Sequence, residues 1–141
     1  MSIFTKLFKS DEEQSSTDDE VKRLIAIVST KTTGSNLPDQ VNAANELGKI
    51  GGTQATKALI LALENDNVRR AAAEALGKIG DSKVIEPMKK AIKNVQSKIS
   101  QMKAEKESLN DPEFGELTDD QINEMEEDIR VIENVIRTLS S

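Results

Sequence analysis

Two nine-residue stretches of this chain nearly repeat each other. Residues 43–51 read AANELGKIG and residues 72–80 read AAEALGKIG. With Gly51 set on Gly80, an offset of 29 residues, seven of the nine positions are identical. The offset carries forward and pairs Ala55 with Val84, Leu59 with Met88, Ala62 with Ala91 and Leu63 with Ile92. A period of this length holds one helix–turn–helix unit. Such a unit cannot bury its apolar face alone and must stack on a neighbour.

Each repeated position has a physical reason. Ala43, Ala44 and Leu47 fall on one face at helical spacing, and the small alanines let another helix come close. Gly48 and Gly77 stand where a Cβ would obstruct a crossing helix. Gly51 and Gly80 suit the position just past a helix end, which favours a left-handed backbone. Pro38 belongs in the first turn of the first helix of its unit, and Pro87 in the first turn of the second helix of the later unit. Thr53 and Asp81/Ser82 are placed as N-caps. Upstream, Val21, Leu24, Ile25 and Val28 give a stripe for a helix over 17–28, half of a degenerate earlier unit.

At these residues the sequence resembles the HEAT-like repeats of the phycobilisome-lyase type. The second unit, 66–94, carries the pattern: Val68-Arg69, Ala72-Ala73, Leu76-Gly77, Ile79-Gly80-Asp81, Val84 and Pro87. The first unit, 37–65, departs from it, with Asp39 in place of Val68, Gln40 in place of Arg69 and Gly52 in place of Asp81. The resemblance implies an α-solenoid that binds other proteins. It also implies that Arg69 pairs with an acid between units. Some members of the resembled type assist bilin attachment or isomerisation on phycobiliproteins, so a bilin lyase/isomerase-like accessory protein is an alternative that the resemblance permits but does not carry.

Beyond the second unit the pattern changes. Ile85, Met88, Ile92, Val95, Ile99, Met102 and Leu109 keep alternating spacings of three and four, which predicts one helix running to about Leu109. Asp111-Pro112 and Gly115 are read as a break. Thr118 and Gln121 then make a capping box, with Leu117 stapled to Ile122. Ile122, Met125, Ile129, Ile132, Ile136 and Leu139 repeat the stripe. Two such helices form an antiparallel hairpin. Residues 81–110 carry seven Lys against four acids, and residues 111–141 two Arg against ten acids. The arms therefore attract. The seam closes within the chain or, in a homodimer through the hairpin, between two chains.

The expected fold is thus all-α: a short HEAT-like α-solenoid of about two helix-pair repeats, extended by a C-terminal antiparallel helical hairpin. It divides into an amphipathic segment 1–9, an acidic linker 10–16, a repeat domain 17–94 and a hairpin 95–141 continuous with it. Aromatic residues are only 2% of the chain, which suits close-packed helices better than a sheet.

Chemistry is narrowed by what the chain lacks. It has no Cys and no His, which removes disulfides, thiolate nucleophiles, imidazole bases and the usual zinc ligands. Asp18-Asp19 and Asp119-Asp120 fall in first helical turns, where the helix dipole favours carboxylates, so they are not read as catalytic pairs. No catalytic residue, cofactor or metal is expected. No apolar run approaches the length of a membrane span, and a cytoplasmic location is expected. Nucleic acid is disfavoured by a net charge of −6 and by the lack of aromatics among the lysines.

Two surfaces remain as candidates. Lys57, Arg70, Lys83, Lys90 and Lys93 are read as a basic patch for an acidic protein partner. Ile3, Phe4, Leu7 and Phe8 make one apolar face of a short helix flanked by Lys6 and Lys9. That face could dock on a membrane surface, making the protein a peripheral adaptor, on a partner's groove, or back onto the chain itself. The leading expectation is a non-catalytic interaction and scaffold module.

Overall fold

The computed structural model describes residues 17–141, and all regular structure among them is helical. Helix α1 spans 17–29, α2 Leu37–Ile50, α3 Gly52–Ala62 and α4 Arg69–Ile79. A 3-10 turn over Ser82–Val84 leads into α5, Ile85–Leu109, and α6 follows over Pro112–Ser140. Ile3, Phe4, Leu7 and Phe8 lie outside the described residues.

The repeat spacing becomes a packing pattern. Ala43, Ala44 and Leu47 of α2 are buried, as are Ala72, Ala73 and Leu76 of α4. Ala55 and Leu59 of α3 are fully covered, as are Val84 and Met88 one offset later. Val21, Leu24 and Val28 of α1 join the same core and close its first end. Burying each large aliphatic side chain contributes roughly 1.5–3 kcal/mol.

The glycines show how close the helices come. A Cβ on Gly48 would lie 2.8 Å from the Ala75 Cβ, so α2 and α4 meet almost backbone to backbone. A Cβ on Gly77, one offset later, would lie 3.2 Å from Val135 of α6. Gly80 ends α4 in the left-handed region at φ 76°, as its position predicts. Gly51 (φ 71°) and Gly52 (φ 87°) let α3 start almost where α2 stops.

The Gly77–Val135 contact assigns α6 a role that its sequence does not announce. Gly48 touches the first helix of the next unit, and the equivalent Gly77 touches α6. So α4 is packed between α2 and α6, with α6 in the place of a third unit's first helix. Ile132, fully buried, belongs to the main core. The earlier part of α6 lies along α5. There Val95, Ile99, Ile122, Met125 and Ile129 form a second cluster. The apolar seam that a second chain could have completed is filled within this one.

Three local expectations are corrected. α6 begins at Pro112, not Thr118. Asp111 accepts from the Glu113 N–H at 3.0 Å, and Pro112, lacking an N–H, needs no partner in the first turn. Gly115 lies inside the helix, facing Lys106. The buried Thr118 hydroxyl donates back to the Phe114 carbonyl at 2.7 Å, and Leu117 is 66% exposed instead of stapled. Thr53 is no cap, because α3 has already begun at Gly52. Asp81 does cap, accepting from the Lys83 N–H at 2.9 Å.

Candidate functional site

The turn Asn65–Val68 positions the site. The Asn65 side-chain oxygen accepts from the Asn67 N–H at 3.0 Å, and its carbonyl accepts from the Arg69 N–H at 2.9 Å. This opens α4 on two consecutive arginines. Arg69 is only 2% exposed. Its guanidinium donates to the Leu63 carbonyl at 2.7 Å, to Asp66, and to Asp128 of α6 at 3.3 Å. Arg70 donates to the other Asp128 oxygen at 3.0 Å and to Glu124 at 3.2 Å. Lys98 of α5 donates to Asp66 at 2.9 Å.

The result is a continuous ionic chain, Lys98–Asp66–Arg69–Asp128–Arg70–Glu124, across α5, the turn, α4 and α6. Buried ions cost several kcal/mol each to desolvate, so such a chain persists only where every charge is met. Here none of the buried side-chain polar atoms among the described residues lacks a partner. Burial pushes the Asp128 carboxyl above its ordinary value, against the pull of Arg70 and Arg69. At Asp66 burial is outweighed by Lys98 and Arg69, which hold its carboxyl below the usual range. Burial also opposes the charge on Arg70, but Asp128 and Glu124 hold it above its ordinary value.

The first unit has an uncharged counterpart to Arg69. Gln40, one offset earlier and fully buried, donates to the carbonyls of Thr30 at 2.5 Å and Ile27 at 3.3 Å. It accepts from Thr32 at 2.6 Å. Both residues tie down the loop before their helix. Only Arg69 also reaches across to α6.

This clamp fixes the angle between the hairpin and the repeats, and the angle encloses a groove of about 750 Å³. Its apolar lining comes from Val41 of α2, Ala71 of α4, Met102 of α5 and Met125 of α6. Five acids line it, Asp66, Glu74, Asp120, Glu124 and Asp128, against two cations, Arg70 and Lys98. Both cations are engaged by acids of the lining itself. Glu74 and Asp120 are exposed, with no ion pair among the described residues. The groove therefore offers apolar contact and unspent negative charge. It brings no nucleophile beside a base, and among the described residues no group of acids is arranged to hold a metal ion.

The sequence-predicted residues fall elsewhere. Lys57 on α3, Lys83 in the 3-10 turn, and Lys90 and Lys93 on α5 are exposed and form no ion pair among the described residues. Arg70 does not join them: Asp128 and Glu124 draw its guanidinium into the groove wall. Of the groove residues the sequence marks only Arg70 as a site residue, and there as part of a basic patch. One signal was available. Asp128 stands between Met125 and Ile129 on the flank of an apolar stripe, a place for a charge only if a cation meets it.

A family model for HEAT repeats matches residues 21–106, more than half of the chain. No curated protein and no solved structure matches it.

Proposed function

The chain belongs to the HEAT-repeat family, and on that premise we propose that it is a non-catalytic interaction and scaffold module that receives a protein segment in the groove between its repeats and its hairpin. The observation that carries this is the groove itself. It is concave and floored by Val41, Ala71, Met102 and Met125, and its walls are held in place by a fully partnered ionic chain. A preformed surface loses little freedom on binding, so more of the contact energy appears as affinity. The two unpaired acids favour a partner segment that is apolar on one face and basic on its flanks.

Retention of proteins on the immobilised chain tests this, with Ala71→Trp to fill the groove and a triple variant, Lys57→Glu, Lys90→Glu, Lys93→Glu, to reverse the opposite charge patch. A partner held by the wild type and the triple variant but lost from Ala71→Trp supports the groove. A partner lost only from the triple variant moves the function to the lysines. That is the second reading, supported by the absence of ion pairs at Lys57, Lys83, Lys90 and Lys93 among the described residues.

The finer resemblance, to the phycobilisome-lyase type, rests on Val68-Arg69, Leu76-Gly77, Ile79-Gly80-Asp81 and Pro87. Its functional alternative is assistance to bilin attachment. Incubation of the chain with a bilin and an apo-phycobiliprotein, followed by absorbance, decides it; an unchanged spectrum removes it.

A further inference from the structure

We infer that in the free chain the groove is occupied by the chain's own residues 1–9, which a partner must displace. This rests on the reading of the groove as a docking surface and names its resting occupant.

Three observations on the two parts fit together. In the sequence MSIFTKLFK the spacing of Ile3, Phe4, Leu7 and Phe8 suits one apolar face of a helix, and such a face would need a cover. The groove supplies an apolar floor in which Met102 and Met125, unbranched and adaptable, suit a bulky aromatic guest. Lys6 and Lys9 flank the apolar face. The groove carries five acids against two cations, and Glu74 and Asp120 have no cation of their own among the described residues.

Reach is also adequate. The Ile27 carbonyl of α1 accepts from Gln40, whose neighbour Val41 lines the groove. Thr17 stands ten residues earlier on α1, about 15 Å away at ~1.5 Å per residue. The linker 10–16 spans up to about 23 Å when extended at ~3.3 Å per residue. The extended linker is thus longer than α1 between Thr17 and Ile27, so Lys9 can reach the end of α1 that meets Gln40 of α2 without α1 leaving the core.

The absence of cysteine makes the test clean, because one introduced thiol takes one label. A nitroxide is attached to Ser10→Cys of the full chain, and amide signals are compared with the spin reduced and oxidised. Occupancy predicts that Ala71, Glu74, Gln121 and Met125 lose most of their intensity while Lys57 and Lys90 keep theirs. The loss should be reversed by Glu74→Lys with Asp120→Lys, and separately by Leu7→Asp with Phe8→Asp, with the remaining signals unmoved. Two variants on opposite partners guard against a fold effect in either one. Full intensity at the groove overturns the inference, and leaves the partner-docking reading to its own retention experiment. Broadening of isotope-labelled, spin-free chains by spin-labelled, isotope-free chains would make the occupant a second copy and also overturn it. Flotation with anionic vesicles that is lost in the Leu7→Asp, Phe8→Asp variant, combined with an unbroadened groove, would give the segment to a membrane and overturn it too.

Discussion

Helix α4 meets α2 on one side and α6 on the other, and the two contacts are built differently. Against α2 the meeting is made of small residues: Gly48 faces the Cβ, Cα and carbonyl of Ala75. Against α6 the same repeat position, Gly77, faces a valine side chain, and much of the attachment is ionic, through Arg69, Arg70 and Asp128. The first contact is the stacking that a repeat supplies. The second is a substitute, in which a helix without the repeat signature is held by Ile132, by the partly buried Val131, Val135, Ile136 and Leu139 beside it, and by a charge cluster centred on the buried Arg69 and Asp128. In this chain the face of α4 that a further repeat would cover is met by a helix that lacks the repeat signature.

The largest expected effect breaks the substitute contact together with the tie from Arg69 to the loop before α4. Arg69→Met leaves Asp128 buried with only Arg70 and should cost about 3–5 kcal/mol in urea unfolding. Ile132→Ala should cost about 4 kcal/mol, and Ile122→Ala in the hairpin cluster about 2 kcal/mol, because the fully enclosed site collapses less easily. Equal losses at the two positions would mean that the hairpin and the repeats form one undivided core. The glycine pair sharpens the contrast further. Gly48→Ala presses on backbone and should cost about 1–3 kcal/mol. Gly77→Ala meets only a valine that can give way. The gain of up to about 1 kcal/mol in helix propensity should leave it near neutral.

The pH dependence of the cluster separates its two aspartates. The Asp66 carboxyl lies below its ordinary value, so the stability it contributes is present above the unfolded value and is lost as pH falls through the lower folded one. Asp66→Asn should therefore be less stable than wild type at neutral pH, with the difference shrinking below about pH 4. Asp128 has the opposite sign. Its raised value means that acidification relieves a cost of burial, so Asp128→Asn should not show the same convergence.

Much of the repeat was legible in the residues. Gly80 signalled a left-handed helix end, Ala43 and Ala44 a close approach, and the run from Ile85 to Leu109 a single long helix. Those features are local or periodic, and periodicity survives in a sequence. The start of α6 was misplaced because Gly115 reads as a breaker, whereas its lack of a side chain admits Lys106. The clamp was half visible: a structural role for Arg69 followed from the resemblance, but nothing periodic joins Arg70 to a carboxylate 58 residues away. The groove was not legible at all, because its lining comes from four helices whose relative angle is set by that clamp.

α3 and α5 are equivalent helices of different length. Asn65 and Asn94 occupy the same repeat position. α3 has already stopped at Ala62 and the chain turns over 63–68, whereas the equivalent residues from Ile92 onward stay helical within α5. The arm that forms one wall of the groove is thus the same rigid rod that is seated in the core through Met88 and Ala91. There is no hinge between wall and foundation. A guest too bulky for the gap cannot be admitted by swinging the arm aside. If the groove takes a protein segment as proposed, a tight guest has to lever on the core itself and should register as strain about 20–25 Å away, where the same rod begins at Ile85.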